Sequence, residues 1–182
     1  MKRLLLHTCC APCLSGVNEV LSGEGFDITG YFYNPNIHPK DELTRRIEAL
    51  KKYSELKKIN AIIIDGYDVD LFNKEVVDRS GDRCRNCYML RLEATAHYAS
   101  RNKYEEFSTT LLLSPYQKHD IIKEVGEEMS EKYGVDFYYM DMRPFYKGSV
   151  RISKELGLYR QKYCGCLQSK EAGNEQVSLA SR

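Results

Sequence analysis

The seven cysteines are the residues of this chain best able to carry chemistry. They fall in three clusters of the form C-C-x-x-C, C-x-x-C and C-x-C, namely Cys9, Cys10, Cys13, Cys84, Cys87, Cys164 and Cys166. Sulfurs at such short spacings converge on one small volume, which both metal ligation and thiol–disulfide exchange require. An odd number of cysteines cannot all pair within one chain, and the apolar run at residues 1–6 is too short for a signal peptide. We therefore expect a reducing, cytoplasmic location rather than a disulfide framework.

Two of the clusters could share one four-thiolate site. Cys84 and Cys87 come where a helical pattern begins, and a helix N-terminus favours thiolates. Cys9 and Cys10 follow the first strand pattern and could supply the other two ligands from an irregular loop. Four thiolates fit either a tetrahedral Zn²⁺ or a [4Fe–4S] cluster. Seven thiols exceed one tetrahedral site, so the surplus favours a cluster.

The C-x-C pair, Cys164 and Cys166, is separate in sequence. A disulfide between them would close a very small ring, and strained disulfides are the labile, catalytic kind. A redox pair is therefore one interpretation. Ligation of an additional iron together with Cys13 is a second, and two thiols without a chemical role are a third.

Two further side chains are weaker candidates. His7 directly precedes the first cluster and could donate a proton or a hydrogen bond to sulfur, or simply be a hydrogen-bonded histidine at the sheet edge. Asp141 follows the fifth strand pattern and could bind iron or a polar substrate group. A structural ion pair between Asp141 and Arg143 is an equally good interpretation.

The elements that must position these residues alternate along the chain. Strand patterns occur at residues 3–6, 26–33, 61–64, 106–110 and 135–140, and helix patterns at 11–21, 39–58, 69–77, 86–101, 118–133 and 149–156. This order predicts an α/β, Rossmann-like, mostly parallel five-stranded sheet with helices on both faces. We expect a single domain over residues 1–171 and a mobile C-terminal tail over 172–182.

In such a sheet, ligands bind at the carboxyl ends of the strands. The loop after the first strand holds phosphate in nucleotide-binding proteins, but here it carries cysteines. Neither G-x-G-x-x-G nor G-x-x-x-x-G-K-[ST] occurs in the chain. This edge is therefore predicted to perform sulfur or metal chemistry, and ATP-dependent sulfur transfer to tRNA is disfavoured.

The overall charge hides a basic C-terminal third. The net charge of +1 excludes a strongly basic nucleic-acid-binding protein. Residues 142–170, however, carry seven basic side chains and one acidic one, Glu155; the basic ones are Arg143, Lys147, Arg151, Lys154, Arg160, Lys162 and Lys170. This asymmetry supports a phosphate-rich partner, although a solvated basic face would give the same pattern. Some of the 14 tyrosines could stack on bases, while most will pack in the core.

Six motifs of the chain form one set: H-T-C-C-A-P-C (7–13), Y-N-P-N-I-H-P (33–39), C-R-N-C-Y (84–88), T-T-L-L-L-S-P-Y (109–116), D-M-R-P (141–144) and Y-R-Q-K-Y-C-G-C (159–166). With this set, the chain resembles the cobalamin-independent epoxyqueuosine reductases of the QueH type over residues 3–170. All seven cysteines lie within these motifs.

The resemblance implies an activity and a set of roles. The activity is reduction of the epoxide of epoxyqueuosine at the tRNA wobble position to queuosine, with an electron-donor protein or reductant as partner and no membrane. It implies a HUP-like sheet, and [4Fe–4S] ligation by Cys9, Cys10, Cys84 and Cys87. Cys164 and Cys166 resemble a redox-active disulfide or part of a second, mononuclear iron site, which Cys13 or Asp141 could complete.

On this hypothesis the cysteines outside the cluster engage the epoxide, and His7 or Asp141 assists departure of its oxygen. The competing hypothesis is an iron–sulfur or zinc module that binds RNA or senses redox state without this activity. That module would explain the four cluster ligands but would leave Cys164 and Cys166 without a role.

Overall fold

A parallel sheet of five strands forms the centre of the molecule, in the computed structural model that describes residues 1–171. The strands are β1 Lys2–His7, β2 Phe26–Phe32, β3 Asn60–Ile63, β4 Glu106–Thr109 and β5 Asp136–Phe137. Their order is β3-β2-β1-β4-β5, and every neighbouring pair is parallel. Leu4, Leu5 and Leu6 of the central strand are fully buried, as expected for a strand covered on both faces.

Helices connect the strands and pack in two groups. They are α1 Ala11–Gly23, α2 Lys40–Lys57, α3 Val69–Phe72, α4 Arg83–Arg101, α5 His119–Tyr133 and α6 Tyr146–Glu155. Helix α1 packs against both α2 and α6, whereas α4 packs against α5. The predicted α/β fold class, a mostly parallel five-stranded sheet with helices on both faces, is confirmed.

The carboxyl end of β1 lies between two neighbouring strand ends. His7, the last residue of β1, is in register with Tyr31 of β2 on one side and Thr109 of β4 on the other. The loops that follow these three strands therefore begin at the same edge of the sheet. The first cysteine cluster lies in the loop after β1.

Three predicted strands are shorter than expected, and the one predicted over 26–33 ends at Phe32. The strand expected over 106–110 ends at Thr109, because the Thr109 Oγ1 accepts the Leu111 N–H at 3.1 Å and starts a 3₁₀ turn, Thr110–Leu113. The strand expected over 135–140 is reduced to Asp136–Phe137 at the sheet edge, where only β4 is available for pairing.

Three predicted helices differ from the structure by more than two residues at one end or in their geometry. The helix expected over 86–101 begins at Arg83, because the Asp82 carboxylate accepts the Arg85 N–H at 2.8 Å and caps it. The segment expected to be one helix over 69–77 is α3 followed by a π-helical turn, Asn73–Val77. The last predicted helix begins at Tyr146 instead of residue 149.

Residues 172–182, predicted to form a mobile tail, lie outside the described residues. Within residues 1–171, no helix combines the length and the hydropathy that a membrane span needs.

Close packing of α1 on α6 gives a stability prediction. A Cβ at Gly16 would lie 2.4 Å from the Cβ of Ser149, whereas a Cβ at Gly23 of the same helix would meet nothing within 4 Å. Gly16→Ala should therefore lower the free energy of unfolding by about 1–3 kcal/mol through overpacking. Gly23→Ala is the matched control and should not destabilise. Urea denaturation of both variants measures the difference; equal stabilities would contradict the α1–α6 packing.

Candidate active site at the carboxyl edge of the sheet

The loop between β1 and α1 brings three sulfurs together. Cys10 caps α1 with an extended backbone, and its Sγ accepts the Cys13 N–H at 3.4 Å. The Sγ atoms of Cys9 and Cys10 are 3.7 Å apart, and the sulfurs of Cys9, Cys10 and Cys13 all lie within 4.8 Å of one another. Vicinal side chains converge here because Cys9 and Cys10 follow the last residue of the strand, where the alternation of side-chain directions has ended.

Polar neighbours hold this group in place. Thr110 Oγ1 accepts the Cys9 N–H at 3.1 Å and donates to the Cys9 Sγ at 3.3 Å. Gln161 Nε2 donates to the Cys10 Sγ at 2.8 Å, so the C-terminal segment reaches the N-terminal cluster.

The three thiols do not titrate alike. Hydrogen bonds from Cys10 and Cys13 hold the pKa of Cys9 well below its usual value. The pKa of Cys10 is raised by burial, and that of Cys13 is raised by its hydrogen bonds to Cys10 and Cys9. Hydrogen bonds within the group therefore favour the thiolate form of Cys9 and the protonated forms of Cys10 and Cys13.

The second group of cysteines gathers around the first turn of α4. Burial raises the pKa of Cys84, and raises that of Cys87 to about 11, with a further contribution from negative charge on Cys164 in both cases. Cys166 packs beside Cys87 and the side chains of Phe72 and Val76. A helix N-terminus is expected to lower the pKa of these thiols, but desolvation raises it by more. All seven cysteines are free thiols in the structure.

Arg91 is a buried cation between the two groups. Its side chain is on α4, one turn after Cys87, and the residue is only 1% exposed. Its Nη1 donates to the Cys87 Sγ at 3.5 Å, and its Nε to the His7 Nε2 at 3.4 Å. Burial acts to lower the pKa of Arg91, but the charges of Cys87, Cys164 and Cys9 raise it above its usual value. Within residues 1–171 no carboxylate forms an ion pair with it, so its charge is directed at the neighbouring sulfurs and acts to lower the pKa of Cys87 against the effect of burial.

His7 lies beneath the site as a neutral base. It is fully buried, and burial together with the nearby Arg91 charge lowers its pKa to about 3. Because Arg91 donates to Nε2, the proton of the imidazole is on Nδ1, which lies 2.9 Å from Thr109 Oγ1. The imidazole thus links the β4 edge to the Arg91 guanidinium.

A second buried arginine holds the C-terminal cysteine loop. Arg46 of α2 is 1% exposed and donates from its Nη1 and Nη2 to the carbonyl oxygens of Cys164 and Tyr163, each at 3.0 Å. Its Nε lies 2.8 Å from Glu42 Oε1, and the other Glu42 oxygen accepts the Tyr159 hydroxyl. This ion pair therefore fixes the backbone on which Cys164 stands.

Gly165 allows the same loop to approach residues 34–39. Its φ of +140° lies in a region that favours glycine, and a Cβ there would be 2.7 Å from Asn36 Nδ2. The Gly165 carbonyl accepts the His38 N–H at 2.9 Å, and the Tyr163 hydroxyl donates to the His38 carbonyl. The glycine of C-x-C is thus required by close contact with the Y-N-P-N-I-H-P segment.

The two ends of the chain enclose a cavity of about 530 Å³. Three cysteines line it together with polar and aromatic side chains; the lining residues are Cys9, Cys13, Arg46, Leu111, Ser114, Tyr116, Gln117, Tyr146, Gln161, Lys162, Tyr163, Cys164 and Ser169. Gln117 Nε2 lies 3.6 Å from the Cys164 Sγ, and its Oε1 accepts the Tyr88 hydroxyl at 2.8 Å. The cavity thus places thiols of the first and third clusters at one accessible surface.

The predicted site residues are not all gathered there. Cys9, Cys10 and Cys13 converge, while Cys84 and Cys87 lie outside that group. Asp141 is exposed and bound to Arg143 at 2.6 Å, which lowers its pKa to about 2; it does not line the cavity.

Sequence reasoning missed four side chains that support the site, namely Arg46, Arg91, Gln117 and Gln161. A usable signal existed for one of them, since the spacing of four between Cys87 and Arg91 places both on one helix face.

The hydrogen bonds from Arg46 to the Cys164 and Tyr163 carbonyls, called here the Arg46 clamp, can be tested directly. Arg46→Ala removes three hydrogen bonds and leaves Glu42 buried without its cation, so it should lower the free energy of unfolding by about 3–5 kcal/mol. Arg45→Ala changes an exposed neighbour on the same helix and should have little effect. Denaturant unfolding compares them, and equal losses in both variants would contradict the clamp.

Comparison with known proteins assigns the family. The family model described as "Epoxyqueuosine reductase QueH" matches residues 4–172. A protein of that name from Dehalococcoides mccartyi is 41% identical over 168 residues, covering 92% of each chain. Another from Thermotoga maritima is 37% identical over 193 residues, covering 100% of this chain and 97% of the relative.

Solved structures show the same fold at low sequence identity. A predicted subunit of tRNA methyltransferase from Methanocaldococcus jannaschii has a TM-score of 0.56 at 12% identity, covering 85% of this chain and 75% of its own. The U34-tRNA thiolase NcsA from Methanococcus maripaludis, with its [4Fe–4S] cluster, has a TM-score of 0.53 at 15% identity, covering 100% of this chain and 67% of its own. These two establish the fold, and the match of nearly the whole sequence places this chain in the epoxyqueuosine reductase QueH family.

Proposed function

We propose that this chain reduces the epoxide of epoxyqueuosine in tRNA to the cyclopentene of queuosine. The reaction takes up two electrons and two protons and releases the epoxide oxygen as water. The observation that carries the proposal is the cavity at which Cys9, Cys13 and Cys164 meet, in a chain of this family. Thiols are the only side chains lining that cavity that can give up electrons in ordinary biological redox exchange.

The residues present fit a metal centre. Three sulfurs within 4.8 Å of one another form a donor set of the kind that iron–sulfur clusters and zinc take, and the buried Arg91 guanidinium favours negative charge on sulfur. We propose Cys9, Cys10, Cys84 and Cys87 as ligands of a [4Fe–4S] cluster. Support comes from Arg91, which donates to the Cys87 Sγ and whose pKa is raised by charge on Cys87, Cys164 and Cys9, so that one cysteine of each pair lies near the same cation.

When bound, a cluster supplies electrons one at a time. An additional mononuclear iron would take Cys13, Cys164 and Cys166 as its ligands. Asp141 is a poorer candidate for it, because its carboxylate is bound to Arg143 away from the cavity lining.

Oxidation of two thiols to a disulfide supplies the two electrons and two protons that the reaction takes up. When Cys164 and Cys166 form a disulfide they release two electrons and two protons; the electrons break the two C–O bonds, and the protons leave with oxygen as water. An external thiol or electron-donor protein then restores the dithiol. Cys13 and Cys164 are better placed proton donors than His7 and Asp141, because Cys13 and Cys164 line the cavity.

The chain's other residues hold these groups. Arg46 fixes the Cys164 backbone, Gln117 lies against the Cys164 sulfur, and Gln161 donates to the Cys10 sulfur. A tRNA substrate and a set of free thiols both suit the cytoplasm, which we propose as the location.

An assay on modified tRNA tests the function. Anaerobically purified protein is reduced and incubated with tRNA that carries epoxyqueuosine, and the digested nucleosides are analysed by mass spectrometry. Conversion to queuosine, with loss of one oxygen, is expected. Tight binding of the tRNA with the epoxide intact would instead identify an iron–sulfur or zinc RNA-binding module and overturn the proposal.

The dithiol role gives a specific prediction. Cys164→Ser and Cys166→Ser should each abolish turnover while the visible absorbance of the cluster persists, because neither residue is among its four proposed ligands. Leu167→Ala, an exposed neighbour, should keep full turnover. Full activity in both serine variants would eliminate the dithiol step, and loss of the absorbance would make Cys164 or Cys166 a ligand.

The counter-charge role of Arg91 can be measured without turnover. Arg91→Met removes the buried cation, so the metal-free protein should bind Co²⁺ about 10- to 100-fold more weakly. Cobalt–thiolate absorbance measures the affinity. Arg101→Met, at the exposed end of α4, is the matched control and should bind as the parent does.

Arg91→Lys keeps the charge and should recover part of the affinity. Circular dichroism of the metal-free variants separates a folding defect from a ligand effect. Unchanged Co²⁺ affinity in folded Arg91→Met would show that the sulfur sites do not depend on the buried guanidinium.

A further inference from the structure

Tyr116 is an exposed aromatic side chain at the rim of the cysteine-lined cavity. It is 81% exposed and lies between the 3₁₀ turn after β4 and the start of α5. Its N–H donates to Ser114 Oγ at 3.3 Å, and its ring meets that of Tyr146 edge to face, with centroids 6.1 Å apart and an angle of 83°. The ring is therefore positioned by its neighbours although most of its surface faces solvent.

The partner ring, Tyr146, is anchored in the protein. It is the first residue of α6 and packs against the main core, while also lining the cavity. Tyr116 thus presents a broad apolar surface on a fixed support, beside the opening that leads to Cys13 and Cys164. An exposed ring in this position is suited to stacking on a flat ligand.

Unpaired cations accompany this aromatic pair. Lys162 lines the same cavity and is exposed, Lys147 directly follows Tyr146, and Arg160 is exposed two residues before Lys162. Within residues 1–171, none of these three forms an ion pair with a carboxylate. Free positive charge beside an exposed aromatic is the combination that single-stranded nucleic acid binds, with phosphates on cations and bases on rings.

We propose that Tyr116 is the stacking platform for the unpaired wobble nucleobase of the substrate tRNA, with Tyr146 supporting the ring and Lys162 and its basic neighbours binding the flanking phosphates. The proposal rests on the proposed function for the identity of the RNA. Enzymes that modify a nucleotide must expose it to their catalytic groups, and an aromatic surface at the entrance compensates the stacking that the base loses. A cavity of about 530 Å³ has room for one nucleoside.

The sequence provides a clean reporter for this contact. The chain contains no tryptophan, so Tyr116→Trp introduces a single indole at the platform. We expect its emission to be quenched when the full-length, anaerobically prepared protein binds an unmodified tRNA anticodon stem-loop with guanosine at the wobble position. The same stem-loop with an abasic wobble position should bind with little quenching. Equal quenching by the two RNAs, or none by either, would overturn the proposal.

Affinity gives an independent test. Tyr116→Ala should weaken binding of the guanosine stem-loop by about 10-fold or more, because one base–aromatic stack is lost. Tyr116→Phe keeps the ring and should bind like the parent. Tyr139→Ala removes another exposed tyrosine, which does not line the cavity, and serves as the matched control.

Undiminished RNA affinity in Tyr116→Ala would overturn the stacking role; if that variant also lost self-association in sedimentation, the surface would be a contact between copies of the chain. Neither test needs turnover. Quenching and affinity loss in a protein that leaves epoxyqueuosine unreduced would retain the stacking site and reject the proposed activity, so the two failures are distinguishable.

Discussion

The Arg91 guanidinium is the charge around which the rest of the site is arranged. A buried cation is costly unless it meets negative charge or hydrogen-bond acceptors, and this one has only an imidazole nitrogen and sulfur within reach in residues 1–171. His7 must then be neutral, which its burial also enforces. The sulfurs around Arg91 are stabilised when they carry negative charge, as thiolate ligands do. Arg91 thus links the protonation state of His7 on β1 to the charge state of Cys87 on α4.

The charge of the other buried arginine, Arg46, is balanced in a different way. Arg46 forms an ion pair with Glu42, and its other N–H groups donate to the backbone carbonyls of Tyr163 and Cys164. Its charge is balanced by Glu42, and its hydrogen bonds shape the C-terminal loop, although the same charge also acts to lower the pKa of Cys10. Arg91 lacks a carboxylate among the described residues, so its charge is directed at the thiols. The two arginines therefore differ in how their charge is balanced: Arg46 mainly positions the backbone, and Arg91 mainly acts on sulfur.

How far the sequence predicts this arrangement depends on whether the signal is local. The alternation of strands and helices gave the sheet, and the cysteine spacings gave the clusters. Thr110 is β-branched, which favours a strand, but the Thr109 side chain caps a 3₁₀ turn that begins at Thr110. The pKa of Cys87 was expected to fall at a helix N-terminus, yet burial raises it. Gln161 reaches Cys10 across 151 positions of the chain, and no local pattern predicts such a contact. Charge balance in the interior and contacts between chain ends are tertiary properties.

The loop after β1 places sulfur where many parallel α/β sheets bind phosphate. In such sheets the N-terminus of the helix after the first strand is an anion site, because its N–H groups and dipole favour negative charge. Here Cys10 occupies the capping position and its sulfur accepts the Cys13 N–H, where a bound phosphate would otherwise accept. The protein thus supplies its own hydrogen-bond acceptor at this helix N-terminus. Because these sulfurs stay with the protein, the same edge of the sheet can hold a metal and still leave the neighbouring cavity open to a substrate.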